Sequence, residues 1–314
     1  MDFVTLDDIT AAAERVRGIS LRTPLLPAAW AGGLWLKPEN LQPVGAFKIR
    51  GAANAVARLP ESVGGVVTHS SGNHGRALGY AAARRGVACV VVAPDAAPRV
   101  KLEAMRATGA EVVVVPGARR EEACAELAAE RGLAVVPPYD HRDVIAGQGT
   151  IGAEIVADMS DVETVLVPIG GGGLASGVGV AVKALSPSAR VIGVEPELAA
   201  DTAEGFRAGK RVHWSVEDRY RTVADGVRVE PSALTFAHIR RYLDDVVTVA
   251  EDEILTAVGE LARQSHVVAE PSGALTTAAY LRYGADWGRT VAVISGGNVD
   301  PEVLAECVSP GPSR

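Results

Sequence analysis

The sequence predicts an α/β fold: two domains built on open, mostly parallel twisted sheets with helices on both faces. Two observations carry this. Short β-branched runs alternate with Ala-rich helical patterns through most of the 314 residues, and glycine-rich loops follow the ends of several runs.

In chain order, the runs "GVVTHS", "GVACVVVAP", "AEVVVVPG" and "LAVVPP" supply four strands between about residues 64 and 140. The stretches "NHGRALGYAAARRG" and "PRVKLEAMRATG" are the helices between them. These elements are expected to close as a small domain over residues 65–142, inserted into a larger domain of residues 1–64 and 143–314, with a cleft between the two. The larger domain takes "TVLVPIG", "RVIGVEP", "DVVTVA" and "VAVISGG" as its strands. Ligands bind at the carboxyl ends of such strands, where the loops described below fall.

Composition narrows the function classes. At 48% hydrophobic and 22% charged, the chain has the material for a sizeable core. A net charge of -7 provides no basic footprint for nucleic acid or for an anionic bilayer. The N-terminus "MDFVTLDDITAAAERVRG" lacks the basic start and apolar middle of a signal peptide, and no apolar run approaches the roughly 20 residues that span a membrane. A cytoplasmic protein is expected. Cys89, Cys124 and Cys307 lie far apart with no CxxC spacing, and are read as core thiols.

Four loops bear chemistry. Gly170, Gly171, Gly172 and Gly173 separate a strand from a helix, where successive backbone N–H groups and a helix N-terminus make a phosphate cradle; a tight turn is the plainer reading. The same stretch half matches a dinucleotide fingerprint, with Glu195 about 20 residues on, which keeps a nicotinamide or flavin enzyme as a rival. Ser70, Ser71, Gly72, Asn73 and His74 sit at a strand-to-helix junction that suits a carboxylate or phosphate, although one of them serving as a helix cap explains part of the pattern. Ser295 ends a buried run in "AVISGGNVD". Glu195 and Asp201 offer two carboxylates just past a strand, either a hard-cation site or a solvated acidic turn.

Lys48 stands in "GAFKIRG", behind a glycine and beside Phe47. A lysine held in a partly dry cleft has a lowered pKa and attacks aldehydes. A phosphorylated aldehyde cofactor, pyridoxal 5'-phosphate, accounts for both the lysine and the cradle.

The ordered set "GAFKIRGA", "SSGNHGRALGYAA", "AGQGTIGAEI", "PIGGGGL", "VEPELAAD", "TVADGV" and "VISGGNVD" resembles the pyridoxal-phosphate-dependent threonine/serine dehydratase and serine racemase family over nearly the whole chain. The resemblance implies a fold type II, tryptophan-synthase-beta-like enzyme. It implies that Lys48 carries the cofactor, Phe47 packs on its ring, Asn73 bonds the phenolic oxygen, Gly170 to Gly173 hold the phosphate and Ser295 meets the pyridine nitrogen. Ser71 matches the position that exchanges the Cα proton on the second face in racemase-like members. Glu195, the Ala199 carbonyl and Asp201 match that group's divalent metal site, for Mg²⁺, Mn²⁺ or Ca²⁺.

The implied activity is an ammonia-lyase converting L-threonine or L-serine to a 2-oxo acid and ammonia, with serine racemase and 3-hydroxyaspartate dehydratase as alternatives on the same fold. A noncatalytic pyridoxal phosphate carrier is more remote. The family's usual Ser-Phe-Lys stands here as Ala46-Phe47-Lys48, removing a hydroxyl beside the lysine. A homodimer is expected by resemblance, as is the absence of isoleucine feedback, since the chain ends soon after "SGGNVD".

Overall fold

The computed structural model describes residues 2–309 and contains two sheets. The strands are β1 (Leu26–Pro27), β2 (Leu34–Pro38), β3 (Gly65–His69), β4 (Ala88–Pro94), β5 (Glu111–Val115), β6 (Ala134–Val135), β7 (Thr164–Pro168), β8 (Arg190–Pro196), β9 (Asp245–Val249) and β10 (Thr290–Ile294). One sheet runs β1-β2-β10-β7-β8-β9 and the other β5-β4-β3-β6. Every neighbouring pair is parallel except β1 with β2. The α/β class and the eight runs read as strands are borne out.

Two strands, β1 and β2, escaped the sequence reading. β2 carries Lys37, fully buried in a strand, and polarity at that position hides the run. The strand is tolerated because Lys37 Nζ donates to Glu154 and to the Thr23 carbonyl, both at 2.6 Å. A buried lysine needs such partners. Cys307 also departs from expectation: Cys89 and Cys124 are buried, whereas Cys307 is half-buried at the edge of the core.

β7 and β10 are buried along their whole length, as central parallel strands covered on both faces must be. The helix Asn73–Arg85 packs on the smaller sheet and stops at Gly86, whose φ of 75° is a left-handed C-cap. The helix Lys48–Ala57 packs there too, since Ile49, Ala52 and Val56 share one apolar cluster with Val66, Leu78 and Val91. Its start is sewn to the larger sheet. Phe47 N–H donates to the Ser295 carbonyl at 3.0 Å, and Gly297 N–H to the Gly45 carbonyl at 2.9 Å. The lysine turn thus spans both layers. Among the described residues no helix is long and apolar enough to cross a membrane.

Candidate active site

One cleft lies at the ends of β3, β7 and β10, and its walls are the loops singled out from sequence. It is lined by Phe47 and Lys48, by Ser70 to His74, by Gly170 to Gly173 and by Ser295. These stretches lie far apart in the chain, and the fold brings them together.

Lys48 is the first residue of its helix and donates to the Pro138 carbonyl at 2.8 Å. Its amine lies 5.0 Å from the centre of the Phe47 ring. Burial lowers its pKa to about 8. An amine without a nearby carboxylate and with little water is the state in which lysine becomes a nucleophile near neutral pH.

The glycine loop joins β7 to the helix Gly173–Leu185. Gly172 has φ of 83°, which side chains rarely adopt, and a Cβ on Gly171 would overlap the Tyr139 ring. A Cβ on Gly170 would stand 2.8 Å from the Val227 Cα. Glycines keep this concavity open, and the first N–H groups of the following helix have no intrahelical acceptor. The result suits a phosphate.

On the third wall, Ser70 Oγ accepts from the N–H groups of Gly72 and Gly75 at 3.1 and 3.0 Å. It lines the cleft while fastening its loop, whereas Ser71 is exposed to the opening. Asn73 Nδ2 donates to Glu270 at 2.7 Å, and its Oδ1 accepts from Asn298 at 2.7 Å. His74 Nε2 lies 2.9 Å from the Val136 carbonyl, and its Nδ1 has no partner. Burial, with the charge of Lys48, lowers the His74 pKa to about 3 and keeps it neutral. Ser295 is buried, with Oγ donating to the Ser272 carbonyl at 3.4 Å. A neutral hydroxyl closes that end of the cleft.

Sequence reasoning missed several of the lining residues. Tyr139 covers the glycine loop but comes from an irregular segment with no pattern. Glu270 caps the helix Pro271–Tyr283, so in sequence it reads as an ordinary helix start. Burial first, then the charge of Asp225, raises its pKa to about 7.

The expected metal residues form a separate group at the end of β8. Glu195 and Asp201 are both buried, and Ala199 lies between them in a short 3-10 turn. Glu195 accepts from Thr202 N–H at 3.3 Å and Ala203 N–H at 2.7 Å, while Asp201 Oδ2 has no hydrogen-bond partner. Burial first, then the neighbouring Asp201, holds the Glu195 pKa well above the carboxylate range. Two dry carboxylates with an orphaned oxygen fit a cation. Among the described residues no group of three or more His, Cys, Asp or Glu side chains could hold a metal ion, so these two carboxylates would supply only part of a cation's ligands.

Comparison with known proteins agrees with this geometry. Residues 16–296 match the family model described as pyridoxal-phosphate dependent enzyme. The chain is 38% identical to the L-threo-3-hydroxyaspartate ammonia-lyase of Saccharomyces cerevisiae, over 97% of this chain and 96% of that one. It is 41% identical to the L-threonine ammonia-lyase of Thermotoga maritima, over 98% of this chain and 79% of the relative. The structure of maize serine racemase superposes with a TM-score of 0.91 at 34% identity, covering 97% of each chain. A lysine at a glycine cradle and a family match over most of the chain lead to one conclusion: this protein belongs to the family of pyridoxal-phosphate dependent enzymes.

Proposed function

We propose that the protein is an ammonia-lyase that removes water and then ammonia from a β-hydroxy amino acid, with L-serine and L-threonine as reference substrates. One observation carries the reading: a dry lysine faces a glycine cradle across a cleft whose third wall is a hydroxyl- and amide-bearing loop. The names of the relatives, two of them ammonia-lyases, support the same reaction type.

Pyridoxal phosphate, when bound, supplies an electron sink for charge developing at the substrate's Cα. In the proposed division of labour, the N–H groups of Gly170 to Gly173 hold its phosphate, Phe47 packs on its ring, and the Asn73 amide meets its phenolic oxygen. Ser295 offers the ring nitrogen a neutral hydroxyl in place of a carboxylate. Lys48 carries the group at rest, and once displaced its Nζ takes the Cα proton. The serine loop, with Ser70 to His74, receives the substrate carboxylate. The β-hydroxyl departs as water, and hydrolysis of the enamine yields a 2-oxo acid and ammonia.

Racemisation is the second reading, favoured by Ser71, whose exposed hydroxyl shares the cleft with Lys48. A serine there can return a proton to the other side of Cα. Glu195, the Ala199 carbonyl and Asp201 are assigned to a divalent cation, Mg²⁺, Mn²⁺ or Ca²⁺, on the strength of the orphaned Asp201 oxygen. The grouping of strands into two sheets supports a division into a domain of residues 65–142 and one of residues 1–64 and 143–314, with the helix Lys48–Ala57 packing across it on the smaller sheet.

The test is incubation of the cofactor-loaded protein with L- and D-serine, threonine and 3-hydroxyaspartate, scoring both 2-oxo acid and inverted amino acid. The reading expects 2-oxo acid with equimolar ammonia from at least one L-substrate. Inverted amino acid without 2-oxo acid makes the protein a racemase, and neither product from any substrate overturns the reading.

A further inference from the structure

One ion pair crosses the cleft. Lys101, on the helix Arg99–Arg106, pairs with Asp225 in the short turn Asp225–Val227, and both side chains line the cleft. Among the described residues it is the one ion pair that ties residues 65–135 to the rest of the chain; the others formed there, Arg99–Glu103, Arg131–Glu111 and those of Arg119, stay within that stretch. Its two ends are held differently. Around Asp225, Val223 N–H donates to Glu251 at 2.7 Å, Gly226 N–H to Ser272 Oγ at 2.8 Å and Arg228 Nε to the Thr222 carbonyl at 3.1 Å. The same turn backs onto the cradle, where a Cβ on Gly170 would meet Val227. Lys101, by contrast, rides on a lightly held helix, of whose residues only Met105 is buried. A helix with so little buried apolar surface moves at low cost.

The pair also stands at a boundary. The Lys101 stem passes over Gly72 of the serine loop, where an added Cβ would lie 3.6 Å from Lys101 Cδ. Lys101, Asp225 and Gly72 line the cleft on one side and, on the other, an outer groove that includes Val100, Val223 and Leu255. With the Lys101 side chain 28% exposed and that of Asp225 40% exposed, water and salt weaken the attraction. Such a pair adds little to the stability of the fold, and it breaks at little cost.

We propose that Lys101 and Asp225 form a latch over the cofactor cleft, closed by their charges and opened by movement of the helix Arg99–Arg106, through which small molecules pass between the cleft and the outer groove. The latch goes beyond the proposed reaction, since it acts on whatever enters or leaves. Closed, it holds the Lys101 stem across the serine loop and keeps bulk water from that end of the cleft. Opened, it joins the cleft to the groove. Salt screens the attraction, so opening rises with ionic strength.

The experiment follows the loss of visible absorbance as hydroxylamine, a small uncharged nucleophile, strips pyridoxal phosphate from the cofactor-loaded protein. Wild type is compared with Lys101→Met, Asp225→Asn and the double variant. Each single variant should react roughly two- to fivefold faster than wild type, the range that an exposed ion pair supplies. The double variant should react no faster than the singles, because the same contact is lost in all three. Raising the salt from about 0.05 M to about 0.5 M should speed wild type toward the variants and leave the variants unchanged. Single variants that react at the wild-type rate, gains that multiply in the double variant, or a wild-type rate indifferent to salt overturn the latch. The salt series needs wild type alone, so it decides even where a variant loses its cofactor. No part of the experiment requires turnover, so failure of the latch and failure of the lyase reading are told apart.

Discussion

Burial lowers the Lys48 pKa to about 8, so at pH 8 about half of the amine is free, against well under 1% at the ordinary value. The free base is the attacking form, so reactivity rises with pH and saturates above the lowered pKa. When apoprotein is mixed with pyridoxal phosphate, the rate at which visible absorbance appears should climb from pH 6.5 and level off near pH 9. A rate still rising about tenfold per pH unit at pH 9 would mean an unperturbed lysine. Ser71→Ala should suppress racemisation and any elimination from D-serine by orders of magnitude, while elimination from L-serine falls less. Equal losses on the two enantiomers would make Ser71 a loop residue only. The Ser70–His74 loop, the four glycines and Ser295 were legible because each follows a strand with more polar or glycine residues than a turn requires, and Lys48 because it stands beside Phe47 in a glycine-bounded turn. Tyr139 and Glu270 were not: Tyr139 lies in an irregular segment with no pattern, and Glu270 reads as an ordinary helix start.

At the scale of elements, the helix bearing Lys48 is anchored by a buried ionic network. Arg50 forks onto Glu39 at 2.7 and 2.8 Å and onto Glu154 at 2.6 and 2.9 Å, with a further bond from its guanidinium to the Leu21 carbonyl at 3.0 Å. Burial would raise the Glu39 pKa, but the charge and hydrogen bonds of Arg50, with help from Thr23, hold it below the ordinary value. This network fastens the helix to β2 through Lys37 and to the helix Arg142–Asp158 through Glu154. Arg50→Ala strands Glu39 in the interior and should destabilise the protein by about 3–5 kcal/mol, read as a Tm lower by several degrees. An unchanged Tm would show that the network is dispensable. The network also explains the unread strand: a lysine in "LWLKP" reads as surface unless its buried partners, distant in sequence, are known.

For the whole molecule, alternation of strand and helix pointed to parallel sheets, yet the order β1-β2-β10-β7-β8-β9 depends on pairings of Thr290 with Leu34 and with Thr164, distant in the chain, which no local pattern encodes. That order brings the ends of β7 and β10 together at one edge, and with them the cradle and Ser295. The acidic pair at the end of β8 leads to a prediction for the molecule as a whole. Mg²⁺, Mn²⁺ or Ca²⁺ at a hundredfold excess over Kd should stabilise the fold by about 2.7 kcal/mol, and a chelator should reverse the gain. Identical melting curves with cation and with chelator would remove the metal from the account. In the proposed mechanism one lysine carries the cofactor. Lys37, Lys101 and Lys183 are engaged by Glu154, Asp225 and Asp244, which leaves Lys48 as the amine in the cleft that no carboxylate holds. Borohydride reduction of the cofactor-loaded protein, followed by peptide mapping, should place the phosphopyridoxyl label on Lys48 in "GAFKIRG"; a label on Lys37, Lys101, Lys183 or Lys210 would contradict the account.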